Sequence, residues 1–490
     1  MGKYEENLEL LRKAVRCEPV DRVPVVPCGN AYFARAQHVL LKDYITDFDQ
    51  ACDANLTELK RIGADGTQNV IFSPYLLGTQ WLSKAALPGQ ELGDDDMWQI
   101  KEFENMQFED YEKIKEMGWD AFQKQFIAEK CDNNWENLKP FFEANPRCYQ
   151  KFYEAGIPCI VDFLMITPFE YFCGGRSLEA FFMDDLMEEP ELMHEIFDME
   201  LEHNLKAYKQ QIKDTHALGV WIGGWRTGPD LVSPKMFDEF VWPAFKAYYD
   251  LCIEMNVIPT FHLDSCWNLD LDKFKRLEDK TYILALDSKT DIRKAREVLG
   301  KDVCILGDVP CELMTFGTPE EVKEYVTKLL EDIGPWGCMI ATGCDIPSDA
   351  KPENVLAMSE AAHDFLKTHP GSLWKLSDSR ACFSRTCCTG IRRCRVRTAG
   401  SRTRRIGRFC GGGGGWLFSR FCMLPGSRAF VGFLCLFIVS VRLLVRLSDP
   451  RTDLLGFLCF FFRGFCLLLR CLLHTLLGTF LRSCCLRCRR

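Results

Sequence analysis

Along the first 370 residues, short apolar runs ending in polar residues alternate with longer amphipathic stretches. Eight such runs stand out: Arg22–Pro27, Gly66–Ser73, Pro158–Met165, Gly219–Trp225, Val257–Asp264, Tyr282–Asp287, Val303–Val309 and Cys338–Asp345. Several are almost continuously apolar, as strands buried on both faces should be. Between the later ones lie helical patterns such as Thr318–Ile333, where Thr318 caps, Pro319 takes the first helical position and Glu321 completes a capping box. Strand and helix alternating eight times predict an α/β fold, a (β/α)8 TIM barrel that ends near Phe365 after a helical pattern over Asn354–Phe365. One connection is too long for a simple crossover. Residues 74–157, between the second and third runs, predict a long helical insertion over the barrel mouth.

Composition divides the chain. From Ala381 to Arg490 there are 20 Arg, 2 Asp and no Lys or Glu, a local charge of +18, whereas the preceding residues carry −27 and 28 of the chain's Lys. Half of the 26 Cys also fall in that last stretch. Its longest uncharged apolar run, Ala429 to Val441, is short of the ~20 residues a spanning helix requires. Cys485 and Cys488 form a CxxC without a second pair, and Gly411–Gly415 reads as a linker. These features predict a barrel domain over 1–370 and a 371–490 tail that is not a folded domain. A shifted reading frame accounts for the abrupt change, with a genuine basic, membrane-associating appendage as the alternative.

The acidic balance of the barrel part excludes nucleic acid as its partner, because phosphate binding needs a basic face. Its Cys are scattered singly, which suggests reduced thiols and a cytoplasmic protein. The N-terminal MGKYEENLELLRKAV has no apolar signal region, and no membrane association is expected of the barrel.

In a barrel of this kind, side chains at the carboxyl ends of the strands converge on the active site. His262 and Asp264 end the fifth run with the same parity, Asp287 the sixth, Asp308 the seventh and Cys344 the eighth. An imidazole, a carboxylate and a thiolate make a three-ligand zinc set with a fourth position open, and Cys266 has the parity to be an alternative thiolate. A buried core histidine beside a small apolar cysteine is the alternative. Asp287 and Asp308 are candidates for acid/base work or for orienting a ligand, with helix capping the competing role for Asp287. Gly307 would let the backbone at Asp308 approach its surroundings closely. Gly223, Gly224, Trp225, Arg226 and Gly228 close the fourth run, either as a substrate-binding turn with Arg226 supplying charge or as a simple tight turn. Phe169, Tyr171, Phe172 and Trp225 are candidates to wall an apolar cavity, or to be core.

Several segments together resemble the uroporphyrinogen decarboxylase superfamily: Asp21-Arg-Val-Pro-Val25, Thr167-Pro-Phe169, Ser233-Pro-Lys-Met-Phe237, Leu306-Gly-Asp-Val-Pro310, Gly317-Thr-Pro-Glu-Glu-Val322, Ala341-Thr-Gly-Cys-Asp-Ile-Pro347 and Pro352-Glu-Asn-Val355. The resemblance covers essentially residues 5–368 and implies the same barrel. The decarboxylase branch carries an Arg-rich N-terminal loop, an Asp in Phe-Ser-Asp and a His in Leu-Gly-His-Gly. Here Cys28-Gly-Asn-Ala-Tyr32, Phe72-Ser-Pro74 and Thr342-Gly-Cys-Asp345 stand in those places. The methyltransferase branch transfers methyl groups between a corrinoid protein and a thiol, using zinc held by His-x-Cys and a distant Cys. His262 and Cys344 match that pattern, and Asp264 replaces the middle Cys. The resemblance therefore implies a metal-dependent methyltransferase, with zinc as cofactor and a corrinoid protein or small tetrapyrrole as partner. Decarboxylation of a porphyrinogen, and non-catalytic corrinoid or tetrapyrrole binding, are the alternatives.

Overall fold

The computed structural model describes residues 2–370; the expectations for the 371–490 tail lie outside the described residues. Six of the eight apolar runs form a parallel sheet paired in chain order: β3 (Phe163–Met165), β4 (Gly219–Gly224), β5 (Ile258–Leu263), β6 (Ile283–Leu286), β7 (Cys304–Leu306) and β8 (Cys338–Met339). An antiparallel pair, β1 (Lys84–Ala86) and β2 (Gln99–Lys101), lies apart from it. The first two runs, expected as strands, are reduced to single parallel bridges, Val25 to Ile340 and Thr67 to Cys159. Pro24 and Pro27 remove two ladder donors from the first run, so no continuous strand can form there. The runs nonetheless close the ring. Val26 N donates to Ile340 O at 3.0 Å, Asp65 N to Val25 O at 3.0 Å, Ile160 N to Thr67 O at 2.9 Å and Asp162 N to Gly219 O at 2.8 Å.

Strand parity sorts two cores. Ile160, Ile283, Ala285, Cys304, Leu306, Met339 and Ala341 fill the barrel, with Leu11, Ala14 and Val15 of the helix Lys3–Val15 in the same cluster. Alternate residues (Val220, Ile222, Phe261, Leu263, Leu284, Leu286, Ile305 and Ile340) pack outward into the layer of helices. The capping box at Thr318 forms, and the helix it starts runs over Pro319–Ile333. The final helix spans Pro352–Thr368, a little longer than its pattern predicts.

Between the second and third runs lie the helices Tyr75–Gln80, Asp110–Met117, Trp119–Lys130, Asn134–Asn137 and Lys139–Ala155, together with β1 and β2. This segment brings Trp81 and Glu102 against the loop that follows β4: the rings of Trp81 and Trp225 lie 4.8 Å apart, and Arg226 Nη2 donates to Glu102 at 2.7 Å. Among the described residues, no helix is long and apolar enough to cross a membrane.

Candidate metal centre

His262 lies on the inner face of β5, in register with Gly223 of β4 and Ala285 of β6. Its two neighbours are small, which leaves room around the imidazole at the carboxyl end of the sheet. The ring is 4 % exposed and is held edge-on against Trp221 at 4.3 Å. Nε2 meets Asp264 Oδ1 at 3.0 Å, while Nδ1 is buried without a partner. The turn carrying Asp264 is pinned from behind, Trp267 Nε1 donating to the Asp264 carbonyl at 2.7 Å.

Cys344 arrives by a different device. By simple alternation from β8 it would share the outward parity of Cys338 and Ile340, but the strand has ended and the chain turns after Thr342, whose hydroxyl donates to the Cys344 carbonyl at 2.5 Å. Gly343 permits the turn: a Cβ there would stand 2.7 Å from Ser288 N and 3.2 Å from Asp287 Cα. The β8 loop thus lies directly on the β6 loop, and Cys344 Sγ reaches to 3.9 Å from His262 Nε2. One donor atom from each of His262, Asp264 and Cys344 lies within 4.8 Å of the others.

The nitrogen–sulfur pair comes near the spacing a tetrahedral ion sets, while the widest separation in the set, up to 4.8 Å, has to close by about 1 Å. Bonds of about 2.0–2.1 Å to nitrogen and about 2.3 Å to sulfur place those two atoms roughly 3.6 Å apart. The observed 3.9 Å needs only a few tenths of an ångström of closure. The charge pattern also favours a cation. Although Cys344 presents surface to solvent, protein crowds its thiol; this burial, and then the charges of Asp264 and Asp345, push it well above the ordinary thiol range.

The other expected residues are distributed more widely. Asp287 serves the turn: its carboxylate accepts from Ser265 N at 3.3 Å and from Lys289 N at 3.2 Å, so it steadies the residue beside Asp264. Asp308 points elsewhere, accepting from Tyr325 of the surrounding helix layer at 2.9 Å. Gly307, with φ +124° and its Cα packed on the Leu286 carbonyl, breaks the alternation that would have turned Asp308 inward. Burial pushes the Asp308 carboxyl up to about 6. Arg226, expected to offer charge to a substrate, is instead engaged by Glu102 and the Cys173 carbonyl. Gly224 packs on β5, where a Cβ would meet Leu263 at 2.8 Å and the His262 carbonyl at 2.9 Å, so it is a packing glycine. Trp225 is half-buried and folded back over Gly223. Cys266 takes a bond from Asn268 Nδ2 at 3.2 Å and stands outside the cluster. Phe169, Tyr171 and Phe172 are buried among Phe181, Trp119 and Phe197 as core.

Two features escaped the sequence reading. Glu170 is fully buried, with its carboxylate accepting from Arg226 N at 2.8 Å and Trp81 Nε1 at 3.2 Å. Burial, with a smaller contribution from the Asp264 charge, pushes it up to about 7. In sequence, Thr167-Pro-Phe-Glu170 reads as a capping box, which would have spent that carboxylate on the helix start. The second feature is a polar shelf. Asn30 Nδ2 donates to Asp345 Oδ2 at 3.2 Å, Asn69 Nδ2 to Asn30 Oδ1 at 2.5 Å and Cys28 Sγ to Asn69 Oδ1 at 3.2 Å. These residues come from the first and last segments of the barrel sequence, and nothing in their local sequence signals that they meet.

A closed parallel barrel with an imidazole, a carboxylate and a thiol converging at the carboxyl ends of its strands has the layout of a barrel enzyme. Comparison with known proteins narrows the class. Residues 131–365 match the family model described as Uroporphyrinogen decarboxylase (URO-D). Uroporphyrinogen decarboxylase of Danio rerio is 37% identical over 90 residues, covering 18% of this chain and 24% of that protein. The protein of the same name from Neisseria meningitidis serogroup A is 26% identical over 214 residues, covering 42% of this chain and 59% of that protein. The matches thus span less than two thirds of these relatives. A solved methyltransferase from Methanosarcina mazei shares the fold, with a TM-score of 0.55 at 18% identity over 72% of this chain and 97% of its own. The match assigns residues 131–365 of this chain to the uroporphyrinogen decarboxylase superfamily.

Proposed function

We propose that the chain is a methyltransferase-like enzyme that moves a methyl group between a corrinoid carrier and a thiol-type acceptor at a zinc site held by His262, Asp264 and Cys344. The observation that carries this reading is the approach of Cys344 Sγ to 3.9 Å from His262 Nε2, across 82 residues of chain and with Asp264 against the same nitrogen. Bound there, zinc would supply the acidity that turns an acceptor thiol into a thiolate at neutral pH. The chain's own groups do the rest. Asp264 and Cys344 contribute two negative charges, and three protein donors leave a fourth direction open to the acceptor. Trp221 fixes the plane of the His262 ring. Glu170, buried behind the β4 loop, accepts from Arg226 N and Trp81 Nε1 and so holds that loop in position. Asp287 keeps the Ser265 turn, and with it Asp264, in place. The barrel is the whole of this machinery, and its working boundary is proposed near residue 370.

Decarboxylation of a porphyrinogen is the second reading, favoured by the names of the matched relatives. The mouth argues against it, because a polycarboxylate needs free cations. Arg226 is bound by Glu102, and Arg35 by Ser348 at 2.9 Å and Asp95 at 3.3 Å. The deciding experiment incubates the full-length, zinc-loaded protein with methylcobalamin and 2-mercaptoethanol and follows the corrinoid spectrum. Demethylation that is lost in Cys344→Ala supports the proposal. Turnover of uroporphyrinogen by metal-free protein, with no demethylation, overturns it.

A further inference from the structure

In the layer of helices, two cysteines that the proposed chemistry does not use stand face to face. Cys52 belongs to the helix Phe48–Arg61 and Cys148 to the helix Lys139–Ala155. These helices run in the same direction: Arg147 Nη2 donates to Asp49 at 2.8 Å and Lys151 Nζ to Asp53 at 2.7 Å, each pair 98 residues apart in the chain. Beside this row of ion pairs the two thiols meet. Cys148 Sγ lies 3.7 Å from the Phe48 carbonyl, one helical turn before Cys52, and the two sulfurs are hydrogen-bonded to each other. Both residues are 0 % exposed. Burial ordinarily drives a thiol up, and it pushes Cys173 and Cys252 each to about 12. Cys148 goes the other way. The hydrogen bond from Cys52 holds its thiol below the ordinary range despite burial, with smaller help from Lys151 and Arg147 against the charge of Asp49.

The surroundings of the pair also let a small reagent in. The side chains flanking the thiols along both helices are open to solvent: Asp49 and Arg147 are each 50% exposed and Lys151 is 37% exposed. Ion pairs this exposed hold two helices together only weakly. Pro146 stands two residues before Cys148 inside its helix and removes one ladder hydrogen bond from that turn. Local opening at such a turn admits a molecule little larger than water.

From this we infer that Cys52 and Cys148 form a modification site, a dithiol that hydrogen peroxide converts into a disulfide joining the two helices. The Cys148 sulfur attacks one peroxide oxygen, the O–O bond breaks, and the leaving hydroxide takes up the thiol proton as water. The Cys52 sulfur then displaces hydroxide from the Cys148 sulfenic acid, the S–S bond forms, and the Cys52 proton completes a second water. Two thiols are oxidised, and one peroxide is reduced to two waters. The inference goes beyond the methyl-transfer reading and does not depend on it, because neither cysteine belongs to the metal centre.

The test uses the full-length protein, reduced with dithiothreitol, desalted and exposed in its native state to hydrogen peroxide. It is then alkylated in denaturant, digested and mapped by mass spectrometry. The Cys52 and Cys148 peptides should be found joined and lighter by two hydrogens, while Cys173 and Cys252 are recovered as alkylated free thiols. The cross-link closes a loop on the order of 100 residues in the unfolded chain, so the thermal midpoint should rise by about 5 °C. Dithiothreitol should reverse that rise. In Cys52→Ser the midpoint should not respond to peroxide, and Cys148 should persist as a sulfenic acid that dimedone traps. Should Cys52→Ser not fold, the peptide map of the unmodified chain decides alone. Recovery of Cys52 and Cys148 as free thiols, at a peroxide dose that oxidises the half-buried Cys266, overturns the inference. A disulfide joining either of them to a different cysteine overturns it as well.

Discussion

The smallest perturbation that tests the architecture of the site is Gly343→Ala, which touches none of the proposed ligands. An added Cβ would stand 2.7 Å from Ser288 N and 3.2 Å from Asp287 Cα, both backbone atoms that cannot rotate away. Reaching an ordinary contact of 3.4 Å requires the β8 loop to back off by about 0.7 Å. At its full extent along the Cys344–His262 line, that movement takes the pair from 3.9 Å to about 4.6 Å. One ion bonded to nitrogen at about 2.1 Å and to sulfur at about 2.3 Å spans at most about 4.4 Å, even in line. The ligand set therefore has to distort or lose its sulfur. Zinc affinity, measured by competition with a chromophoric chelator, should fall by about 10–100-fold. Stability in urea should fall by about 1–3 kcal/mol. A folded Gly343→Ala protein with unchanged zinc affinity would refute the argument that the Gly343 contact sets the reach of Cys344.

Other consequences follow from the same geometry. Stoichiometric zinc should disappear in His262→Ala and Cys344→Ala and survive in Cys266→Ala, as read by elemental analysis of dialysed protein. Glu170 carries a folded-state value of about 7 against an ordinary 4.5, so the native state keeps a proton that the unfolded chain has released. Stability should therefore fall as pH rises through that interval, and Glu170→Gln should flatten the slope in chelator-treated protein; an unchanged slope rules the assignment out. Asp308 makes the same kind of contribution between 3.8 and about 6, removable by Asp308→Asn without any effect on zinc content. Asp65 is buried and accepts from Val25 N at 3.0 Å, Arg22 at 2.6 Å and His363 at 2.9 Å, tying the first run to the last helix. Asp65→Ala strands the buried Val25 N–H and should cost about 1–3 kcal/mol in a denaturation experiment while leaving the metal site chemistry unaltered in the fraction that folds.

Much of the barrel was legible along the chain. Apolar strands buried on both faces leave an unmistakable pattern, and the capping box at Thr318 located its helix to within a residue. The first two runs were legible as runs but not as bridges, because one or two residues of pairing suffice to close a ring whose other strands are already in register. At the site, parity placed His262 and Asp264 on one face of β5, a purely local inference. It misjudged Asp308, since the backbone geometry at a single glycine reversed the direction that alternation implied.

The amino-acid order alone therefore determined which segments become strands, and which donors stand at their ends, because both depend on a period of two residues within one strand. Whether those donors meet depended on contacts between segments far apart: the Gly343 turn resting on the β6 loop carries Cys344 to His262, and the approach of Trp81 and Arg226 claims Glu170. Such contacts are set by the packing of whole loops against one another, and no spacing along the chain encodes them.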